Sequence, residues 1–116
     1  MSLKTQDLFD VSNKVVVVTG GSRGIGEMIT SGFLANNSKV YITARKEEAL
    51  VKKAEELSQK YSCECIPVSG DISNSEGIDA LVNFLNDAEP EGIDYLINNA
   101  GAAWGANYDD FPESGW

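Results

Sequence analysis

The stretch that most constrains this chain is VVVVTGGSRGIG, residues 15–26, in which a run of β-branched residues leads straight into a glycine-rich turn. A continuous β-branched run is typical of a strand buried on both faces of a parallel sheet. Glycine permits positive φ angles and lets the backbone approach a pyrophosphate closely. Ile25, Ile29 and Phe33 follow at helical spacing, so the turn leads into a helix over Gly24–Ala35 whose first N–H groups are free for an anion. The stretch predicts the first strand, phosphate-binding turn and helix start of a dinucleotide-binding fold.

The turn itself supplies the first group of candidate binding residues. A tight turn without a ligand is the simpler alternative, but the position between a buried strand and an amphipathic helix favours a phosphate site. A P-loop is excluded because no Gly-Lys-Ser/Thr follows the glycines. The candidate residues are Gly20, Gly21, Ser22, Arg23, Gly24, Ile25 and Gly26.

Strand and helix patterns alternate along the rest of the chain. The predicted strands are Lys14–Thr19, Lys39–Ala44, Cys63–Ser69 and Ile93–Asn98. The predicted helices are Gly24–Ala35, which Asn36-Asn37 ends, Lys46–Lys60, and a third that begins at a capping box, Ser73-x-x-Glu76. This order predicts an α/β protein with a Rossmann-like, doubly wound parallel sheet, right-handed crossovers and strand order 3-2-1-4.

The predicted sheet is only partial. In the order 3-2-1-4 the fourth strand lies at an open parallel edge, which is an aggregation hazard unless it is covered. Sheets of this kind are normally completed by further strands. We therefore expect residues 1–116 to be one unit, the N-terminal part of a longer protein, with a loop after Gly101.

The end of the second strand indicates which nucleotide the turn holds. An NAD site usually has Asp or Glu there to bind the ribose 2′-hydroxyl, whereas this chain has Arg45 and no acidic residue. The guanidinium groups of Arg45 and Arg23 suit a 2′-phosphate, which predicts NADP(H) as the cofactor. The alternative is that Arg45 and Lys46 are simply the exposed start of a lysine-rich helix.

The charge distribution excludes one class of partner. The net charge is −9, all nine basic residues lie at or before Lys60, and the rest of the chain carries eleven acidic residues. Nucleic acid is not expected as a partner because phosphate backbones need a basic face.

The sequence has neither an apolar run long enough for a membrane span nor a recognisable leader, so we expect no membrane association and a cytoplasmic location.

The two cysteines, Cys63 and Cys65, are expected to be small core side chains on one face of the third strand. Their spacing is poor for a disulfide bond. The chain contains no histidine, and no metal site is predicted.

Three motifs together resemble those of the short-chain dehydrogenase/reductase family. Residues 19–26 match its TGxxxGxG pattern, Gly70-Asp71-Ile72 matches its aspartate after the third strand, and Asn98-Asn99-Ala100-Gly101 matches its NNAG motif. The three occur in the family's order over nearly the whole chain. The finer match is to 3-oxoacyl-[acyl-carrier-protein] reductases, including those of rhamnolipid synthesis, in which Trp104 lies near the mouth of the site; a plain loop aromatic is the alternative.

The resemblance implies further roles for residues outside the turn. Asp71 would accept from the adenine amino group, with Ile72 packing on the ring, and Asn99 with its neighbours would contact the nicotinamide-side ribose. A turn or helix-cap role for Asp71 and a sheet-stabilising role for Asn98 stay open. The additional cofactor-binding candidates are Asp71, Ile72, Asn98, Asn99, Ala100 and Gly101.

The resemblance also implies an activity that these residues alone do not complete. The family reduces carbonyl groups with a Ser and a Tyr-x-x-x-Lys pair, yet none of the four tyrosines here has a lysine four residues later. We therefore expect NADPH-dependent reduction of a carbonyl, for example a 3-oxoacyl thioester, by a longer protein in which this chain supplies cofactor binding and no catalytic residue. The alternatives are a non-catalytic NADP-binding or regulatory module and an inactive fragment. A homo-oligomer is expected only for the full-length protein.

Overall fold

The computed structural model describes residues 1–101, and within them it contains four parallel strands and four helices. Trp104 and the loop predicted after Gly101 lie outside the described residues. In chain order the elements are α1 (Thr5–Leu8), β1 (Val15–Thr19), α2 (Gly24–Ala35), β2 (Lys39–Ala44), α3 (Glu47–Tyr61), β3 (Cys65–Ser69), α4 (Ser75–Ala88) and β4 (Tyr95–Ile97).

The sheet has the order β3-β2-β1-β4, and every neighbouring pair is parallel, which confirms the predicted Rossmann-like topology. The first two crossovers run in one direction across the sheet, and the third returns past β1. Because crossovers are right-handed, α2 and α3 share one face and α4 lies on the other. The ring of Tyr41 on β2 meets Phe84 of α4 edge-on, with ring centroids 6.1 Å apart.

The core lies between the sheet and the pair of helices α2 and α3. The two central strands are covered on this face so completely that Val16, Val18, Val40 and Ile42 have no exposed surface. Burying an aliphatic side chain of this size contributes about 1.5–3 kcal/mol. Their main buried partners on the helices and on β3 are Leu34, Leu50, Ala54, Leu57 and Cys65.

The third strand begins at Cys65 rather than at Cys63. Ser62 adopts a left-handed conformation at the end of α3, and the chain turns through Cys63 before it pairs with β2. Both thiols still pack at the core, as predicted, and Cys63 Sγ lies 2.9 Å from the carbonyl oxygen of Ser38. Burial raises the pKa of the Cys65 thiol to about 12, so this cysteine is neutral at physiological pH.

The predicted capping box at Ser73 is wrong, because Asn74 caps α4 instead. The Asn74 side chain accepts a hydrogen bond of 2.8 Å from the backbone N–H of Gly77, whereas the Ser73 hydroxyl bonds to Asp71. The predicted end of α2 is confirmed by the left-handed conformation of Asn37, with φ 66°.

The fourth strand is shorter than predicted, and side chains contribute hydrogen bonds at both of its ends. At its start the Asp94 carboxylate accepts a hydrogen bond from the N–H of Val15, and after its end the hydroxyl of Thr19 accepts hydrogen bonds from the N–H groups of Asn99 and Ala100.

The short helix α1 has no periodic pattern in the sequence and is not among the predicted elements. Within residues 1–101, no helix is both long and apolar enough to cross a membrane.

Candidate functional site

A cleft of about 490 Å³ opens at the carboxyl ends of the strands. In open parallel sheets this edge is where ligands bind, next to the point at which the strand order reverses. Here that point lies between β1 and β4. The residues that line the cleft are Gly20, Ser22, Arg23, Thr43, Ala44, Arg45, Gly70, Asp71, Ile72, Ser73, Asn99, Ala100 and Gly101.

The glycine-rich turn brings Arg23, the N-cap residue of α2, to this cleft. Gly20 and Gly24 have φ angles of 66° and 58°, which residues with a side chain rarely adopt. Arg23 is the N-cap residue in an extended conformation, and no side chain of the described residues caps the helix. The first N–H groups of α2 and its positive dipole end are therefore available to an anion.

Two other glycines of the turn serve packing and do not line the cleft. A Cβ on Gly26 would lie 2.0 Å from the carbonyl oxygen of Gly20, and one on Gly21 would lie 2.5 Å from Cγ2 of Ile42. Glycine at these positions lets α2 approach the turn and β2. The hydroxyl of Thr30 donates 2.8 Å to the carbonyl oxygen of Gly26 and holds the first turn of the helix.

The ends of β1 and β4 are joined by hydrogen bonds beside the cleft. The buried hydroxyl of Thr19 accepts bonds of 3.0 Å from the backbone N–H groups of Asn99 and Ala100 and donates to the carbonyl oxygen of Ile97. The amide of Asn99 also donates 3.2 Å to the carbonyl oxygen of Gly20. The glycine-rich turn and residues 99–100 are thus held as one unit, and among the described residues the side-chain contact between them is made by Asn99.

Two arginines line the cleft on the side of β1 and β2. Arg23 lies in the turn and Arg45 directly after β2, and neither forms an ion pair with an acidic residue within residues 1–101. Lys39 and Lys53, by contrast, each pair with two glutamates. The cleft therefore offers two guanidinium groups and a helix N-terminus to a negatively charged ligand.

Asp71 is the one acidic residue that lines the described cleft. Its Oδ1 accepts hydrogen bonds from the hydroxyl and the backbone N–H of Ser73, at 2.6 and 2.9 Å. These two bonds, together with the nearby charge of Arg45, lower the pKa of the Asp71 carboxyl, so that it is ionised at neutral pH. Asp71 is thus a turn residue as well as a cleft residue, and it does not cap α4.

The structure brings together most of the residues that the sequence predicted for this site. It places Gly21, Gly24, Ile25, Gly26 and Asn98 outside the lining of the cleft, and Ile25 is 70% exposed. Sequence reasoning missed four lining residues, Thr43, Ala44, Gly70 and Ser73. Thr43 and Ala44 end β2 and Gly70 follows β3, so the predicted strand ends were the signal that could have found them.

The family model described as short chain dehydrogenase matches residues 14–116. This chain is a member of the short-chain dehydrogenase family. The match begins just before β1 and includes the glycine-rich turn, Asp71 and residues 98–101. Membership agrees with the parallel sheet and with the position of the cleft at its carboxyl edge.

Among curated short-chain dehydrogenases, one relative is the rhamnolipids biosynthesis 3-oxoacyl-[acyl-carrier-protein] reductase of Pseudomonas aeruginosa. It is 41% identical over 108 residues, which cover 93% of this chain and 41% of the relative. Another relative, the 11-beta-hydroxysteroid dehydrogenase-like 2 protein of Arabidopsis thaliana, is 33% identical over 96% of this chain and 36% of its own length. The chain thus spans well under half the length of these relatives.

Solved short-chain dehydrogenase structures have the same fold. The Pseudomonas aeruginosa RhlG/NADP active-site complex superposes with a TM-score of 0.80 at 40% identity, covering 93% of this chain and 41% of that one. L-Sorbose reductase from Gluconobacter frateurii, complexed with NADPH and L-sorbose, has a TM-score of 0.81 at 31% identity, covering 91% of this chain and 41% of that one. Both of these similar structures contain an NADP-type cofactor.

Proposed function

We propose that this chain is the N-terminal, NADP(H)-binding part of a longer short-chain reductase. The observation that carries the proposal is the pairing of Arg23 and Arg45 in one cleft with an uncapped helix N-terminus. The helix N-terminus suits the pyrophosphate, and the two guanidinium groups suit the 2′-phosphate that distinguishes NADP from NAD.

The remaining lining residues would hold the two ends of the cofactor. Asp71 and Ile72 lie after β3 and would contact the adenine, and residues 99–101 after β4 would contact the nicotinamide-side ribose. The turn supports the fit, because Gly20 lines the cleft and both Gly20 and Gly24 adopt positive φ angles that residues with a side chain rarely adopt. The bound cofactor would supply the hydride, while this chain's residues bind and orient it.

The proposed reaction of the full-length protein is reduction of a carbonyl group, with a 3-oxoacyl thioester as the substrate. Support comes from the 41% identity to the Pseudomonas 3-oxoacyl-[acyl-carrier-protein] reductase. Neither the family's Tyr-x-x-x-Lys pair nor a substrate-binding residue is assigned within these 116 residues. In this proposal the proton-transfer step would use residues of the longer protein. A cytoplasmic location stays a prediction.

Substitution of Arg45 tests the cofactor assignment. Arg45→Ala is expected to weaken NADP+ binding by about tenfold or more, the size of a charge-assisted hydrogen bond, and to leave NAD+ binding nearly unchanged. Calorimetric titration of the 116-residue chain measures both. Lys46→Ala is the matched control, because Lys46 is the adjacent basic residue and does not line the cleft. Equal losses in the two variants would show that only the general positive charge matters and would contradict the assignment.

The reductase proposal needs the full-length protein. That protein is expected to oxidise NADPH when a 3-oxoacyl thioester is added, as followed by the loss of NADPH absorbance. Cofactor binding without turnover of this or other carbonyl substrates would instead favour the non-catalytic NADP-binding module.

A further inference from the structure

The cleft brings an unpaired cation and a carboxylate together. Arg45 follows β2, Asp71 follows β3, and β2 and β3 are neighbouring parallel strands whose ends meet at the cleft. The hydrogen bonds from Ser73 lower the pKa of Asp71 most, and the charge of Arg45 lowers it further. Nevertheless no ion pair forms between them. An ion pair here would neutralise the guanidinium that the proposed function assigns to the 2′-phosphate.

Three contacts hold Asp71 on its own loop. Oδ1 is occupied by the hydroxyl of Ser73 at 2.6 Å and by the backbone N–H of Ser73 at 2.9 Å. Behind the loop, Gly77 of α4 packs so closely that a Cβ on it would lie 1.7 Å from the carbonyl oxygen of Asp71. The cap at Asn74 fixes the start of that helix. The backbone of Asp71 is therefore set by packing, and its carboxylate is set by Ser73.

We propose that Ser73 is a positioning residue for cofactor specificity, which holds the Asp71 carboxylate on its own loop and so leaves Arg45 free for the 2′-phosphate of NADP(H). This inference rests on the proposed function and deepens it. It assigns a role to a side chain that contacts Asp71 rather than the phosphate. Without the Ser73 hydroxyl, the carboxylate loses one of its two hydrogen bonds and swings towards Arg45.

The test is the ratio of NADP+ to NAD+ affinity in a set of variants of the 116-residue chain, measured by calorimetric titration. Ser73→Ala is expected to lower this ratio by about fivefold, the effect of one hydrogen bond. Ser73→Thr keeps the hydroxyl and is expected to keep the ratio. Ser75→Ala is the matched control, since Ser75 begins α4 two residues later and does not line the cleft.

The double variant separates positioning from a merely structural role. Asp71→Ala combined with Ser73→Ala removes the carboxylate that would neutralise Arg45, so the ratio is expected to return to that of the unsubstituted chain. A structural role would instead lower both affinities together and leave the ratio unchanged in Ser73→Ala.

Two results would overturn the inference while the proposed function stands. One is an unchanged ratio in Ser73→Ala, and the other is a lowered ratio that the double variant does not restore. If the unsubstituted chain binds neither dinucleotide, the proposed function itself fails, and the inference fails with it.

Discussion

The hydroxyl oxygen of Thr19 lies 3.0 Å from the backbone nitrogen of Asn99, which joins the ends of β1 and β4 across 80 positions of sequence. The same oxygen accepts the N–H of Ala100, and the Thr19 residue is only 3% exposed. Because one hydroxyl satisfies two N–H groups, this contact holds the two halves of the cleft in register.

Thr19→Val is therefore expected to lower the free energy of unfolding by about 1–3 kcal/mol. Valine has nearly the same shape as threonine but cannot accept the hydrogen bonds of the two backbone N–H groups. Urea denaturation followed by circular dichroism measures the change. Thr19→Ser keeps the hydroxyl and is the control, with a smaller loss expected. A valine variant as stable as the unsubstituted chain would show that water replaces the hydroxyl at no cost.

Gly26→Ala is expected to destabilise the chain by about 1–3 kcal/mol and to weaken dinucleotide binding, because overpacking forces α2 away from the turn. The added Cβ would lie 2.0 Å from the carbonyl oxygen of Gly20 and 2.6 Å from Nδ2 of Asn99. Gly32→Ala in the same helix has no atom within 4 Å of the added carbon. It is expected to stabilise the helix by about 0.5–1 kcal/mol. Thermal unfolding of the two variants should thus shift in opposite directions, and parallel shifts would refute the packing role.

A hydrogen-bonded ion pair ties β2 to the end of α4. The carboxylate of Glu89 lies 2.7 Å from Nζ of Lys39 and accepts a hydrogen bond of 2.5 Å from the hydroxyl of Tyr41. The hydrogen bonds from Lys39 and Tyr41 lower the pKa of Glu89, and the bond to Glu89 raises the pKa of Lys39.

The stability that this ion pair contributes is expected to decrease both at acidic and at alkaline pH. The contribution of Glu89 is complete above its ordinary pKa of 4.5 and is lost as the pH falls through the lowered folded value. The contribution of Lys39 is complete below its ordinary pKa of 10.5 and is lost as the pH rises through the raised folded value.

Glu89→Gln is expected to reduce the free energy of unfolding at pH 7 by about 1 kcal/mol, and the deficit should shrink as the pH falls below 4.5. Urea denaturation across pH measures this difference. Glu91→Gln, at an exposed position two residues later, is the control. A deficit that stays constant down to strongly acidic pH would exclude the ion pair as its cause.

The open edge of β4 predicts self-association. Among the described residues β4 pairs with β1 alone, and Leu96 on it is 51% exposed. A charged residue on an edge strand opposes pairing with another chain. Leu96→Lys is therefore expected to reduce concentration-dependent light scattering with little change in the unfolding transition. Equal light scattering by the Leu96→Lys variant and the unsubstituted chain would show that association uses another surface.

Much of the fold could be predicted because its signals are local. The β-branched run at residues 15–18 and the alternation of strand and helix patterns predict four parallel strands, and the usual order of doubly wound sheets, 3-2-1-4, then gives their arrangement. The cap of α4 could not be predicted as reliably, because Ser73 and Asn74 are both good N-cap residues. The hydrogen bond from Ser73 to Asp71, which depends on the course of the loop, decided between them.

The candidate site, like the fold, could be predicted only in part from the sequence. The turn and the arginines could be predicted from residue type and position, since phosphate chemistry requires glycine and guanidinium groups there. Which glycines face the cleft could not be predicted, because Gly21 and Gly26 differ from Gly20 in backbone φ and in what packs against them, and neither property has a local sequence pattern. The contact of Glu89 with Tyr41 joins residues 48 positions apart and has no local pattern.

The most direct test of the central claim is a calorimetric titration of the unsubstituted 116-residue chain with NADP+ and, separately, with NAD+. The open guanidinium groups of Arg23 and Arg45 predict that NADP+ binds about tenfold or more tightly than NAD+, because its 2′-phosphate gains charge-assisted hydrogen bonds. Equal affinity for the two dinucleotides, or no binding of either, would contradict the claim that this cleft is an NADP(H) site.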